Sequence, residues 1–335
     1  MHSVNKKIII GMVLLAVAGG VFVYYRNADT KPKKPLEKLT IALPEQPVFA
    51  LVYIAQNKGY FKDEGLDVTL KDVSTGKEAF EDTVKGGSDI GIGYEAPAVR
   101  MLYEGKDLSI ISTLHVSTKN GALIARKDKG IYKIADVKGK KIGVTFTSGD
   151  EFFLTSYLTS EGIKLSEVTL INGAFKDLPG MLTAGTVDAV VEHNPYFYDT
   201  KKAFPSDALT IFQSDIYTAN SLLAGDTAVI KNKSEAIIRL LTALVKAEGL
   251  IRDNREEAIQ SVATSLPHFS EETIRATWDQ FTPVLKLDNV LLSLLNREAQ
   301  WFKENNVYTG PLPDFRKAIF TDYLETVKPE AVTVY

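Results

Sequence analysis

Short apolar runs alternate with glycine-terminated helical stretches along most of this chain, and that alternation constrains the fold more than any other feature. Residues 39–43, Leu-Thr-Ile-Ala-Leu, are short, β-branched in part and stopped by Pro44, as a strand is. Residues 48–58 are apolar on most sides and run into Gly59, which predicts a buried helix with a glycine stop. The alternation continues with a strand at 66–70, a helix at 76–85 closed by Gly86-Gly87, a strand at 89–93, a helix at 97–103 closed by Gly105 and a strand at 108–114. A second block follows: strand 141–145, helix 150–160 ended by Gly162, strand 168–171, helix 178–183 closed by Gly185, strand 187–191. Such a pattern implies an α/β fold with parallel strands joined by right-handed crossovers. After Leu223 helical periodicity takes over, at 234–252, 255–265, 270–281 and 290–305.

At 335 residues the chain is too long for one ordinary core. Two α/β blocks followed by helices predict two lobes, the last helices returning to the first. Residues 36–125 with 221–330 make lobe 1 on this reading, and residues 126–220 make lobe 2. Leu123-Ile124-Ala125 and Leu222-Leu223-Ala224 bracket the second block and are the expected interlobe crossovers. A ligand of such a fold binds beyond the carboxyl ends of the strands, in the cleft between lobes.

The N-terminus carries a separate signal. Lys6 and Lys7 precede an uncharged run over residues 8–25 that ends at Arg26. At helical rise that run is about 27 Å long, the hydrocarbon thickness of a bilayer. It is either an anchor, favoured by the interfacial pair Tyr24-Tyr25, or a signal segment cleaved near Ala18, favoured by the small-x-small Ala16-Val17-Ala18. Residues 30–35, with Pro32, Pro35 and three lysines, read as a stiff spacer, so residues 1–35 form an N-terminal segment and linker. Basic residues after the run outnumber those before it and point the body inward. The two-lobed α/β reading of the body outweighs that count.

Composition excludes several chemistries. There is no cysteine, so disulfides, thiolate metal sites, a cysteine nucleophile and a lipid-modified cysteine are all ruled out. A net charge of -3 gives no basic face for nucleic acid. His2, His115, His193 and His268 have no metal-ligand spacing, and no metal or cofactor is expected. Gly91-Ile92-Gly93 lacks the third glycine of a dinucleotide loop, and no glycine stands two residues before Ser148 as a nucleophile elbow requires.

Four stretches carry a family resemblance: IAQNKGYFKDEGLDVTL, KGGSDIGIGYEAP, DVKGKKIGV and TAGTVDAVVEHNP, in that order and spacing. With the closing PDFRKAIFTDYLETVKPEAVTV, the chain resembles the solute-binding proteins of sulfonate, taurine, nitrate and thiamine-pyrimidine ABC transporters over residues 39–332. The resemblance implies a two-lobed periplasmic-binding-protein fold (type II) with two interlobe crossovers, a small-molecule ligand, no catalysis, and a permease and ATPase as partners. The expected place is the periplasmic or extracellular face of the plasma membrane. It also implies ligand contacts at Glu45, Gln46, Ser74, Thr75, Gly76, Tyr94, Glu95 and Thr113 in lobe 1. In lobe 2 it implies Thr147, Ser148, Gly149, Asp150, His193 and Asn194. Each of these is otherwise a cap or a solvated loop residue. Relatives often carry Trp-Glu-Pro where this chain has His193-Asn194-Pro195, so an aromatic platform is missing there.

Glu45, Glu95, Asp150 and Glu192 stand in these loops, with no lysine or arginine among the implied contacts. If they face the cleft, the ligand bears an amine or a nitrogen heterocycle with donor groups, and a zwitterionic sulfonate is the next choice. Two other classes stay open: a membrane-tethered ligand sensor acting through a partner, and a pyrimidine-synthesising enzyme of the same fold family.

Overall fold

The computed structural model describes residues 35–334, except Asn120, Thr147 and Pro195. The anchor, the cleavage site and nearly all of the spacer lie outside the described residues. Among the described residues no helix is long and apolar enough to cross a membrane.

The chain begins its fold with strand β1 (Glu37–Leu43), whose inward side chains Leu39, Ile41 and Leu43 are buried. Helix α1 (Ala50–Asn57) has every residue from Ala50 to Ala55 buried, which is why its sequence shows no polar stripe. Then come β2 (Leu66–Asp72), α2 (Gly76–Val84), β3 (Ile90–Tyr94), α3 (Glu95–Tyr103) and β4 (Leu108–Ser117). The next strands are β5 (Gly121–Arg126) and β6 (Lys141–Val144), followed by α4 (Gly149–Ser160), β7 (Thr169–Asn172), α5 (Leu178–Ala184), β8 (Ala189–His193), α6 (Tyr196–Ala203) and β9 (Leu209–Phe212). After β10 (Ala219–Asp226) come helices α7 (Ser234–Asp253) and α8 (Arg255–Ser265), the short β11 (Thr282–Pro283) and α9 (Asn289–Glu304).

These elements build two main sheets. The larger has the order β11-β4-β10-β3-β1-β2 and the smaller β7-β6-β8-β5-β9. Strands β1, β2 and β3 are mutually parallel, as the alternation requires, but β10 runs antiparallel between β3 and β4. In the smaller sheet β5 is likewise antiparallel to β8 and β9. The sheets are therefore mixed, where the alternation alone had implied parallel ones.

The two expected crossovers fall elsewhere. Leu123-Ile124-Ala125 lies inside β5, paired on both sides within the smaller sheet, and Leu222-Leu223-Ala224 is the fully buried middle of β10. Uninterrupted apolar triplets mark strands buried on both faces, and that is what these are. The chain leaves the larger sheet after Ser117 for β5 and leaves the smaller after Phe212 for β10.

One extended core backs the larger sheet, where α1 packs on α7 and α8. The smaller sheet has a cluster on each face, one around Leu123, Val144 and Phe153, the other around Ile124, Leu178 and Val190. Helix α9 serves both sheets. Its Leu295 belongs to the large core while Leu294 and Trp301 join the Phe153 cluster, with Trp301 edge-on to Phe152 of α4 at 5.6 Å.

Candidate functional site

A cleft of about 690 Å³ opens where the carboxyl ends of both sheets meet. Every strand that ends there contributes. Pro44 and Gln46 follow β1, Ser74 and Thr75 follow β2, and Gly93 and Tyr94 close β3. From the other side come Thr145 and Phe146 after β6, Phe175 after β7, and His193 at the end of β8. Parallel strands leave their carboxyl ends on one edge, so loops far apart in sequence converge.

The walls are aromatic. Phe49, Tyr94, Phe146 and Phe175 line the cleft, and the Phe175 ring stands edge-on to the His193 imidazole with centroids 4.7 Å apart. Tyr94 approaches His193 from the larger sheet at 6.2 Å. Helices α2 and α4 both start in the lining. Thr75 caps α2 by accepting the Glu78 N–H, and Ser148 caps α4 by accepting that of Glu151 while its own hydroxyl donates to the Thr145 carbonyl. Both positive helix ends therefore open on the cleft.

Two close approaches, one to backbone and one to a side chain, explain why glycine is needed here. A Cβ on Gly93 would lie 2.8 Å from the Gly76 Cα, so β3 and the start of α2 touch backbone to backbone. A Cβ on Gly149 would lie 2.7 Å from the Tyr217 hydroxyl oxygen.

Of the residues implied by the family resemblance, Gln46, Ser74, Thr75, Gly76, Tyr94, Ser148, Gly149 and His193 line the cleft. Thr147 lies outside the described residues. Thr113 is buried in mid-sheet on β4, opposite Leu222, and Asn194 is buried without joining the lining.

The four carboxylates do not face the cleft. Glu45 is half exposed and lies 3.5 Å from His268. Glu95, fully buried beneath the start of α3, accepts from the Tyr217 hydroxyl and from the Asn220 N–H at 2.9 Å. Burial pushes its carboxyl up to about 7. Asp150 accepts from His193 Nδ1 at 2.8 Å, with both side chains almost fully buried. Glu192 points to the opposite face of β8, as the pleat requires, beside Thr200. Its two oxygens make no hydrogen bond of normal geometry, and burial pushes it up to about 8.

The lining also holds residues that the sequence reading did not reach. Among its described residues Lys77 alone carries a fixed charge, and it sits 3.5 Å from Glu81 on the next turn of α2. Phe49, Phe146 and Phe175 supply the aromatic surface expected to be missing at His193. The available signal was an aromatic within three residues of a strand end, at Phe146 and Phe175. Gln46 is 8% exposed in the lining, and its buried Oε1 is unpartnered. Such an atom costs about 1–3 kcal/mol until a donor reaches it.

Known proteins are similar to this chain in sequence and in fold. A putative thiamine biosynthesis protein of Haemophilus influenzae is 26% identical over 248 residues, covering 71% of this chain and 77% of its own. The formylaminopyrimidine-binding protein of Halalkalibacterium halodurans is 25% identical over 256 residues, 67% of this chain and 76% of that one. The periplasmic aliphatic sulphonate binding protein SsuA of Escherichia coli superposes with a TM-score of 0.74 at 18% identity, over 86% of this chain and 98% of SsuA. The fold is thus the α/β fold of periplasmic binding proteins. The NMT1/THI5 like family model matches residues 46–258, well over half of the sequence, and the chain belongs to that family.

Proposed function

We propose that this chain is the extracytoplasmic solute-binding component of an ABC importer, a two-lobed clamp that captures one small organic molecule and passes it to a permease and its ATPase. One lobe is built on the larger sheet and the other on the smaller, with the chain crossing after Ser117 and again after Phe212. Residues 8–25 tether the clamp to the membrane, or cleavage near Ala18 releases it. The ligand contacts are Gln46, Ser74, Thr75, Gly76, Tyr94, Ser148, Gly149 and His193, joined by the aromatic walls and Lys77.

The observation that carries this reading is the cleft itself, lined by strand ends of both sheets, walled by aromatic rings, and holding in its lining Gln46, whose buried Oε1 is unpartnered. A planar nitrogen heterocycle with N–H donors suits the acceptor and the rings together, and an aminopyrimidine is the leading class. The carboxylates play no direct part in this recognition. A sulfonate is the second reading, favoured by Lys77 and the open starts of α2 and α4. Capture without chemistry agrees with the binding proteins among the relatives, and the pyrimidine-synthesising alternative is weaker in a chain without cysteine.

A thermal-shift panel of aminopyrimidines and sulfonates tests it. A true ligand at about 100 times its dissociation constant adds about 2.7 kcal/mol to stability. No stabilisation by either class would refute the ligand reading.

A further inference from the structure

His193 is a cleft residue whose tautomer is set by a neighbour, and its position makes that tautomer matter. Its Nδ1 lies 2.8 Å from Asp150 Oδ2, and the two side chains are about 5% exposed. A carboxylate only accepts, so Nδ1 carries the proton. The neutral ring then presents a bare lone pair at Nε2, which makes no hydrogen bond among the described residues, and the residue lines the cleft. The ring cannot swing away. Phe175 and Tyr196 stand edge-on to it at 4.7 and 5.7 Å, and Tyr94 closes the third side at 6.2 Å.

We infer that the Asp150–His193 pair makes the cleft a proton-dependent selector: neutral His193 accepts an N–H from a nitrogen heterocycle, and protonated His193 rejects it. His193 is the specificity-determining contact and Asp150 the positioning residue. This rests on the nitrogen-heterocycle reading above and deepens it. Gln46, with its unpartnered Oε1, and His193 line the same aromatic cleft, which suits a ligand with more than one donor hydrogen. A second proton on His193 turns Nε2 into a donor bearing positive charge, which repels the same N–H and suits an anion instead.

The titratable groups around the ring are few. Asp150 faces it from α4, Tyr94 from the end of β3 and Tyr196 from α6, whose phenol burial pushes above its usual range. Glu192, one residue away, lies on the other face of β8, where the Asp150 charge adds to burial in raising it.

Nitrogen-15 histidine labelling gives the direct test. In the wild-type protein with neutral His193, Nε2 should resonate as an unprotonated nitrogen and Nδ1 as a protonated one. Asp150→Asn should disturb that tautomer. Calorimetry with 4-aminopyrimidine near pH 6, run in two buffers of different ionisation enthalpy, should show more protons released by wild type than by His193→Gln, by up to about one. That variant keeps an acceptor oxygen but cannot titrate, and the probe's own protonation is common to both proteins. An Nε2–H tautomer in the wild type, or equal proton counts in the two proteins, overturns the inference. Should 4-aminopyrimidine not bind wild type at all, the heterocycle reading falls and the tautomer alone decides the role of the pair. Should His193→Gln not fold, the wild-type tautomer again decides.

Discussion

The Tyr217 hydroxyl donates to one carboxylate oxygen of Glu95, and the N–H of Asn220 donates to the other at 2.9 Å. One side chain at the start of α3 therefore holds both the end of the second passage between sheets and the first residues of β10. Replacing Tyr217 with Phe leaves a fully buried carboxyl one donor short. The expected loss of stability is about 1–3 kcal/mol. Urea unfolding reads it as a lower midpoint at unchanged slope. An unmoved midpoint would mean the bond contributes nothing net.

Burial raises the carboxyls of Glu95, to about 7, and Glu192, to about 8, and raises Glu298 well above its ordinary range. An unfolded glutamate titrates near pH 4.3, so between roughly pH 4.3 and the raised values the native chain binds more protons than the unfolded one. Stability then falls as pH rises through that window, by up to about 1.4 kcal/mol per pH unit for each group. The protein should melt higher at pH 5 than at pH 8. Glu192→Gln removes one titrating site and should gain on wild type as pH is raised. Parallel melting curves for the two proteins would contradict this.

The strands and helices were legible because burial patterns are local. Residues 255–265 were read as a helix and form α8 with the same ends, and Gly59, Gly105, Gly162 and Gly185 all stop helices with positive φ. What escaped was pairing partner and facing. Nothing in Leu222-Leu223-Ala224 tells that this strand enters from the other sheet and runs antiparallel between β3 and β4. The site was half legible for the same reason. Strand-end loops could be found from the sequence, so Gln46, Ser74, Tyr94 and His193 were reachable. Whether a loop carboxylate faces ligand or a buried partner depends on residues more than 40 positions away, as with Asp150 and His193 or Glu95 and Tyr217.

Gly93 and Gly76 hold β3 against the start of α2. A Cβ at position 93 would meet the Gly76 Cα at 2.8 Å and its carbonyl oxygen at 2.9 Å, neither of which can rotate aside. Gly93→Ala should cost about 1–3 kcal/mol by overpacking. It should also weaken ligand binding, since Thr75, Gly76 and Lys77 move with the helix start. Gly86→Ala is the control, because a Cβ there meets nothing although the positive φ strains it. It should lower stability without touching affinity. Equal effects of the two on binding would argue against a role for the backbone contact in shaping the cleft.

If the sheets mark two lobes, ligand capture should change the distance between them. Among the described elements the chain goes from one sheet to the other after Ser117 and again after Phe212, over short stretches, so rotation there needs few dihedral changes. The absence of cysteine makes the motion easy to follow, because introduced thiols are the only ones to label. Lys85 just beyond α2 has a side chain 71% exposed, and Tyr132 before β6 is 66% exposed, so each tolerates a spin label on its own side of the cleft. In Lys85→Cys with Tyr132→Cys, a saturating ligand should shift the distance distribution and narrow it. A second pair, Lys85→Cys with Asp253→Cys, lies wholly among elements of the larger sheet's core and should not move. A first pair unchanged at saturation would show that the cleft binds without closing, and the two lobes would then be one rigid body.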